Sequence, residues 1–149
     1  MRRCSVLLAL ATMLAACSED GAWTQEQRLN AQHVVQAMEA RNDAVRQSNN
    51  LGATGGEMIE RRKYMPIIAK LRVAYDHATA VHDDVLDKIH PDFKRHWKDE
   101  FVEGLRLRLL NLEGTEGSGQ SEIAGHRLLD SFGVWIDANR NRIRIPKAE

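Results

Sequence analysis

Histidines and carboxylates are the side chains in this sequence best fitted to hold a metal or move a proton, and their spacing decides whether they can. There are six histidines. His77 and His82 are five residues apart and fall on different faces of a helix. There is no His-Glu-x-x-His run, no paired-cysteine motif and no Cys-x-x-Cys-His haem attachment. Asp87 with His90, and Glu122 with His126, have the spacing to share an ion on one helical face. Carboxylate-bundle metal proteins need a Glu-x-x-His pair from each of two helices plus further glutamates, and no such set is complete. Asp137 to Asn141 begins like a calcium loop, but Arg142 stands where the turn needs glycine and Ala148 where the bidentate glutamate belongs. No metal or other cofactor is therefore expected, and His82 reads as a hydrogen-bonded core polar group.

Catalytic patterns are equally sparse. The sequence has no Gly-x-Ser-x-Gly elbow and no Gly-x-x-x-x-Gly-Lys phosphate loop. Asp83, Asp84 and Asp87 lie beside Lys88, and Glu100 and Glu103 among Lys98, Arg106 and Arg108, so both groups read as solvated faces. An enzyme is not expected.

Cys17 offers a different chemistry. It closes the run Leu14-Ala15-Ala16-Cys17, behind Arg2, Arg3 and an apolar stretch over residues 6–13. A basic tip, a short apolar segment and small residues before a break make a secretory signal peptide, too short to remain as a membrane span. The run resembles the lipobox of bacterial lipoproteins. That resemblance covers the leader alone, and no family is assigned to the mature domain. It implies that the thiol is acylated, that residues 1–16 are removed, and that Cys17 becomes the anchored first residue. The usual sorting pattern retains lipoproteins with aspartate after the cysteine in the inner membrane. Here that residue is Ser18, which implies the periplasmic face of the outer membrane.

Bulk properties bound the rest. The chain carries 21 basic and 21 acidic residues, and loss of Arg2 and Arg3 leaves 19 against 21, a mature charge of −2. A nucleic-acid partner would call for a strongly basic face. Cys4 leaves with the leader, so no disulfide can form within the mature chain. Residues 17–23 read as a lipidated N-terminus and linker, of which Ser18 to Trp23 spans about 20 Å at most, and residues 24–149 as one helical domain.

The elements follow from periodicity. Thr24 and Gln27 form a capping-box pattern, and Ala31, Val34, Met38 and Val45 mark a first helix to about Ser48. Residues 49–56 read as a flexible connection. A second helix begins near Glu57, is kinked or restarted at Pro66, and carries the seam Ile68, Leu71, Tyr75, Ala78, His82, Val85 and Ile89. Its 25 residues from Pro66 to His90 span about 37 Å, a match for the first helix. Pro91 ends it and starts a third, striped by Phe93, Trp97, Phe101, Leu105, Leu109 and Leu112 and widened by Val102 and Leu110. After a glycine-rich loop over residues 113–120, Ile123, Leu128, Leu129, Phe132, Trp135 and Ile136 mark a fourth, which Gly125 and Gly133 weaken. The alternation in Arg142, Ile143, Arg144 and Ile145 admits a hairpin over residues 134–145 instead. The sum is an all-α, antiparallel up-down four-helix bundle behind a lipoprotein signal peptide. Both glycine loops sit far from the membrane, and the linker, the Pro91 turn and the C-terminus near it.

Two surfaces stand out for interaction. Arg140, Arg142, Arg144 and Lys147 gather in the tail, suited to anionic headgroups, a partner's acidic patch, or simply a helix C-terminus. The first helix buries little beyond alanine, so around Val34 and Met38 it is expected to dock loosely and open a groove to a partner. The sequence thus reads as a non-catalytic envelope lipoprotein whose bundle binds a protein, either in assembly of an envelope machine, as pilotin-like lipoproteins do, or as a periplasmic immunity protein. The alternative is a ligand- or metal-binding bundle using His82, Tyr75 and Tyr64. Replacing Cys17 with alanine is expected to move the protein from membrane to soluble fractions. Unchanged membrane fractionation would refute the anchor.

Overall fold

Thr24 opens the first helix by a reciprocal pair of bonds: its Oγ1 accepts from the Gln27 N–H at 3.1 Å, and its own N–H donates to Gln27 Oε1 at 3.2 Å. This is the capping box. The computed structural model describes residues 23–52, 61–114 and 119–147. The leader, Cys17 and parts of both glycine-rich connections lie outside them. Helix α1 (Gln25–Gly52) runs through Asn49 and Asn50, where a loop was expected. Its buried face is Ala31, Val34, Ala37, Ala40 and Ala44, while Val45 is exposed. Small side chains let backbones approach, and the contact of α1 with α2 is the most extensive between helices among the described residues.

Helix α2 (Arg61–Thr79) carries Pro66 inside it. The expected continuous helix to His90 is broken at residues 80–82, and α3 (Asp83–Ile89) starts afresh. Buried Asn30 of α1 explains the break. Its Nδ2 donates to the Ala80 carbonyl at 2.9 Å, and its Oδ1 accepts from the His82 N–H at 2.8 Å, satisfying two backbone groups that leave the helical ladder. Asp83 and Asp84 occupy the favourable first turn of α3. The break turns His82 outward to solvent, so it is no core group. Val81, Val85, Leu86 and Ile89 continue the buried face, and Tyr75 is only half-buried.

After the Pro91 turn the chain is helical without interruption from α4 (Phe93–His96) through a π-helical stretch (Trp97–Val102) to α5 (Glu103–Glu113). The wide turn has a physical reason. Residues spaced by four drift about 40° per step around an α-helix, so Phe93, Trp97, Phe101, Leu105 and Leu109 would spiral off one face. A π-turn, with its larger repeat, slows the drift. All five are buried. Phe93 stacks on Trp97 and Trp97 on Phe101, with ring centroids 5.5 and 4.5 Å apart, and the Trp97 indole donates to the Ala78 carbonyl at 3.0 Å. Phe132 closes the aromatic column from the far side, 4.9 Å from Phe101.

Helix α5 ends on Gly114 in the left-handed conformation, φ 72°. Helix α6 (Gly119–Asn139) leaves Ile123 61% exposed, outside the expected stripe. It also takes up Val134 to Asn139, the first half of the segment that the hairpin alternative would have used. Beyond it, residues 143–147 form neither helix nor strand. The Arg144 N–H donates to the Ile89 carbonyl at 3.4 Å, Gln32 Nε2 donates to the Pro146 carbonyl at 2.8 Å, and Ile143 and Ile145 pack on the core. The described chain is all-α, with no strand among the described residues. None of its helices is long and apolar enough to cross a membrane.

Gly125 does more than weaken α6. A Cβ there would lie 3.0 Å from the Gly104 carbonyl oxygen and 3.2 Å from the Arg108 nitrogen, both backbone atoms that cannot give way. Around Gly133 nothing lies within 4 Å. Gly125→Ala is expected to destabilise the fold by about 1–3 kcal/mol, whereas Gly133→Ala is expected to stabilise it by up to about 1 kcal/mol, both read by urea unfolding.

Candidate functional site

The Gly104–Gly125 contact brings α5 and α6 together so closely that the next polar residues on each, Arg108 and His126, face one another. Arg108 follows Gly104 by one helical turn and packs its stem against Gly125. From across the core, α1 contributes Arg41, one residue past buried Ala40. These three side chains line a cleft of about 70 Å³ whose walls include Ala44, Ile67, Leu71 and Leu129, with Ser48 and Asn49 at the α1 side. Arg41 also lines a neighbouring hollow of about 180 Å³ with Met38, Phe101, Phe132 and Ile136.

The electrostatics are unusual for a helix interior. Arg108 is only 8% exposed. Its Nη1 lies 2.9 Å from His126 Nδ1, and its buried Nε has no partner. Arg41 donates from Nη1 to Asn42 Oδ1 at 3.1 Å, and its Nε too is buried and unpaired. Neither guanidinium forms an ion pair with a carboxylate among the described residues. Burial lowers both below the ordinary guanidinium value, offset in part by Asp130 for Arg41 and by Glu122 for Arg108. Both stay charged, because that ordinary value lies so far above neutrality. Burial also holds the His126 imidazole below its usual value, Arg108 pushes the same way, and Glu122 and Asp130 oppose it. A guanidinium can only donate. Nδ1 of His126 therefore accepts, and its proton sits on Nε2, 3.9 Å from Glu122 Oε1. The cleft offers donors, positive charge and no carboxylate among its lining residues.

Other titratable groups have local partners. His33 of α1 and His77 of α2 face each other, Nδ1 to Nδ1 at 2.9 Å, and burial followed by His77 and His82 lowers His33. At the end of α4 Arg95 Nη2 lies 2.9 Å from His96 Nε2, while His96 Nδ1 lies 2.9 Å from Glu100 Oε1 without the alignment of a hydrogen bond and the ring stacks on Trp135. Glu100 is accordingly drawn into the fold, not held on a solvated face. No group of three or more metal-ligating side chains forms among the described residues.

The residues singled out by sequence fall as follows. Asp87 pairs with Lys94 and His90 Nδ1 accepts from the Asp92 N–H, so those two have separate partners. Val34 is fully buried beneath the surface where a partner was expected to touch it, and Met38 is half-buried at the second hollow. Arg140, Arg142, Arg144 and Lys147 are all exposed along the tail. His82 is exposed while Tyr64 and Tyr75 are half-buried against the core. Cys17 lies outside the described residues. Arg41 is not marked out by the sequence, Arg108 reads there only as part of a solvated face, and His126 only as a possible partner of Glu122. The signal available was Arg108 at four-residue spacing from Gly104, between Leu105 and Leu109 on the core stripe. No protein-family model, curated protein or solved structure matches this chain.

A buried charge without a counter-ion costs stability, and an apolar replacement of similar length relieves the cost. Arg108→Met is expected to leave the thermal midpoint unchanged or raise it. A fall corresponding to about 2 kcal/mol or more would show that Arg108 is a structural strut.

Proposed function

We propose that this protein is a non-catalytic lipoprotein of the bacterial envelope, held at the periplasmic face of the outer membrane by lipid on Cys17, which binds a partner protein through the cleft between α1, α2, α5 and α6. The observation that carries the reading is the cleft itself: an apolar-walled hollow whose two arginines have no ion-pair partner. In this reading the helices form an antiparallel up-down bundle of four columns, with α2 and α3 sharing one column and α4, the π-turn and α5 another. The start of α1, α3 and the tail then share one end, in keeping with the bonds of Gln27 to Asp84 and Lys88 and of Arg144 to Ile89. That end adjoins the lipidated linker. The tail arginines and Lys147 are exposed there and are free to meet anionic headgroups.

Arg41 lies sixteen residues along α1 from Gln25, about 24 Å from that end. The cleft thus opens away from the bilayer, where a soluble or membrane-borne partner can reach it. Met38 and Phe132 in the neighbouring hollow extend the contact surface. Both classes of partner considered from the sequence, an envelope machine and a secreted toxin, suit such a tethered module.

A photo-crosslinking residue placed at Asn49, on the cleft rim, is expected to capture a discrete envelope protein in living cells, with capture lost when Arg41→Gln is added. The same probe at exposed Val73 of α2, outside the cleft, is expected to capture none. Equal labelling from both positions, or capture indifferent to Arg41, would overturn the proposal. The captured protein's identity separates an assembly role from immunity.

A further inference from the structure

We infer that the cleft is an oxyanion site, in which Arg41 and Arg108 hold a carboxylate or phosphate group and His126 turns from acceptor to donor by taking a proton from solvent. The inference rests on the reading of this cleft as the protein's binding site and specifies its chemistry.

Three observations converge. First, the two guanidiniums come from different helices, line one cavity, and have a buried Nε each without a partner. Arginines that serve only to tie helices together end on carboxylates or carbonyls. Here Asp130 and Glu122 act on them at a distance and form no ion pair. Second, the planar guanidinium fork matches the paired oxygens of a carboxylate or phosphate. The cavity of about 70 Å³ accommodates a group of a few heavy atoms in place of water. Third, His126 is placed to respond. Its Nδ1 now occupies a donor of Arg108 at 2.9 Å, and its side chain is 55% exposed, so a proton can reach it.

The charged groups around His126 are Arg108 of α5, Arg41 of α1, and Glu122 and Asp130 of its own helix. An arriving anion cancels part of the field of the two arginines. Protonation of His126 then becomes more favourable, its Nδ1 no longer accepts from Arg108, and that guanidinium N–H is released to the anion. The sign is definite: binding takes up a proton, so a lower pH strengthens it, and the bound anion raises the pH at which His126 titrates.

The test uses the full lipidated protein in detergent micelles, titrated by calorimetry with inorganic phosphate, with acetate, and with a short glutamate-containing peptide. Acetate keeps a single charge between about pH 6 and pH 8, so its pH dependence reports the protein. Acetate is expected to bind more tightly at the lower pH, and the His126 ring resonances to titrate at higher pH in its presence. Arg41→Gln and Arg108→Met are each expected to weaken binding by about tenfold or more. The wild-type titration of His126 stands on its own should either variant fail to fold. Phosphate well ahead of both carboxylates assigns the site to phosphorylated ligands, and peptide or acetate level with it assigns the site to acidic side chains of a partner. Either result supports an oxyanion site. Absence of saturable binding by all three probes, or a His126 titration that none of them moves, overturns it. Capture from Asn49 without anion binding would sink this inference alone, and anion binding without capture would sink only the docking proposal.

Discussion

Where α5 crosses α6, backbone meets backbone, and much of the molecule is arranged around that approach. Gly104 and Gly125 leave no room for a side chain between the helices. The crossing is close enough that Arg108 is pressed into the interior by its stem while its head reaches His126. The other tight pair, α1 with α2, comes together by the same means through an alanine face. The cleft is the seam where these two close-packed pairs meet. Arg41 belongs to one pair and Arg108 to the other, so the spacing of the guanidiniums is set by packing between pairs and by no direct bond.

The aromatic column is the counterpart of this thin packing. Phe93, Trp97 and Phe101 stack along one helix and Phe132 and Trp135 meet them from α6. Burial of large rings contributes far more per residue than burial of alanine. Cohesion is thus concentrated in the aromatic column, which lets the fold carry two cations without an ion-pair partner among the described residues.

Much of this was legible in the residues. Thr24 and Gln27 announce the start of α1, and the stripe from Phe93 to Leu109 marks the third helical column because local spacing and bulk alone decide it. The break at residues 80–82 was not legible, since the group that satisfies it, Asn30, lies some fifty residues away and belongs to another helix. Without that partner the run from Ile68 to Ile89 reads as one seam with His82 inside it. The tail shows a subtler miss. Its period of two is real, with Ile143 and Ile145 packed inward and the arginines outward, but alternation reports one buried face and cannot say whether a neighbouring strand exists. Arg108 was hidden by its acidic and basic neighbours in sequence, although burial of a charge is decided by what crosses above it.

Asn30 has a consequence for how the helices are threaded. Its carboxamide offers hydrogen to a carbonyl and oxygen to an amide within the same three-residue gap. Those complementary polarities act as a key with one orientation, and sliding α1 by a single step would rotate the side chain out of its lock. The chain therefore possesses an alignment mark at the α1–α2–α3 junction, one that sets the longitudinal phase of a helix whose alanine face, smooth and repetitive, would otherwise tolerate several.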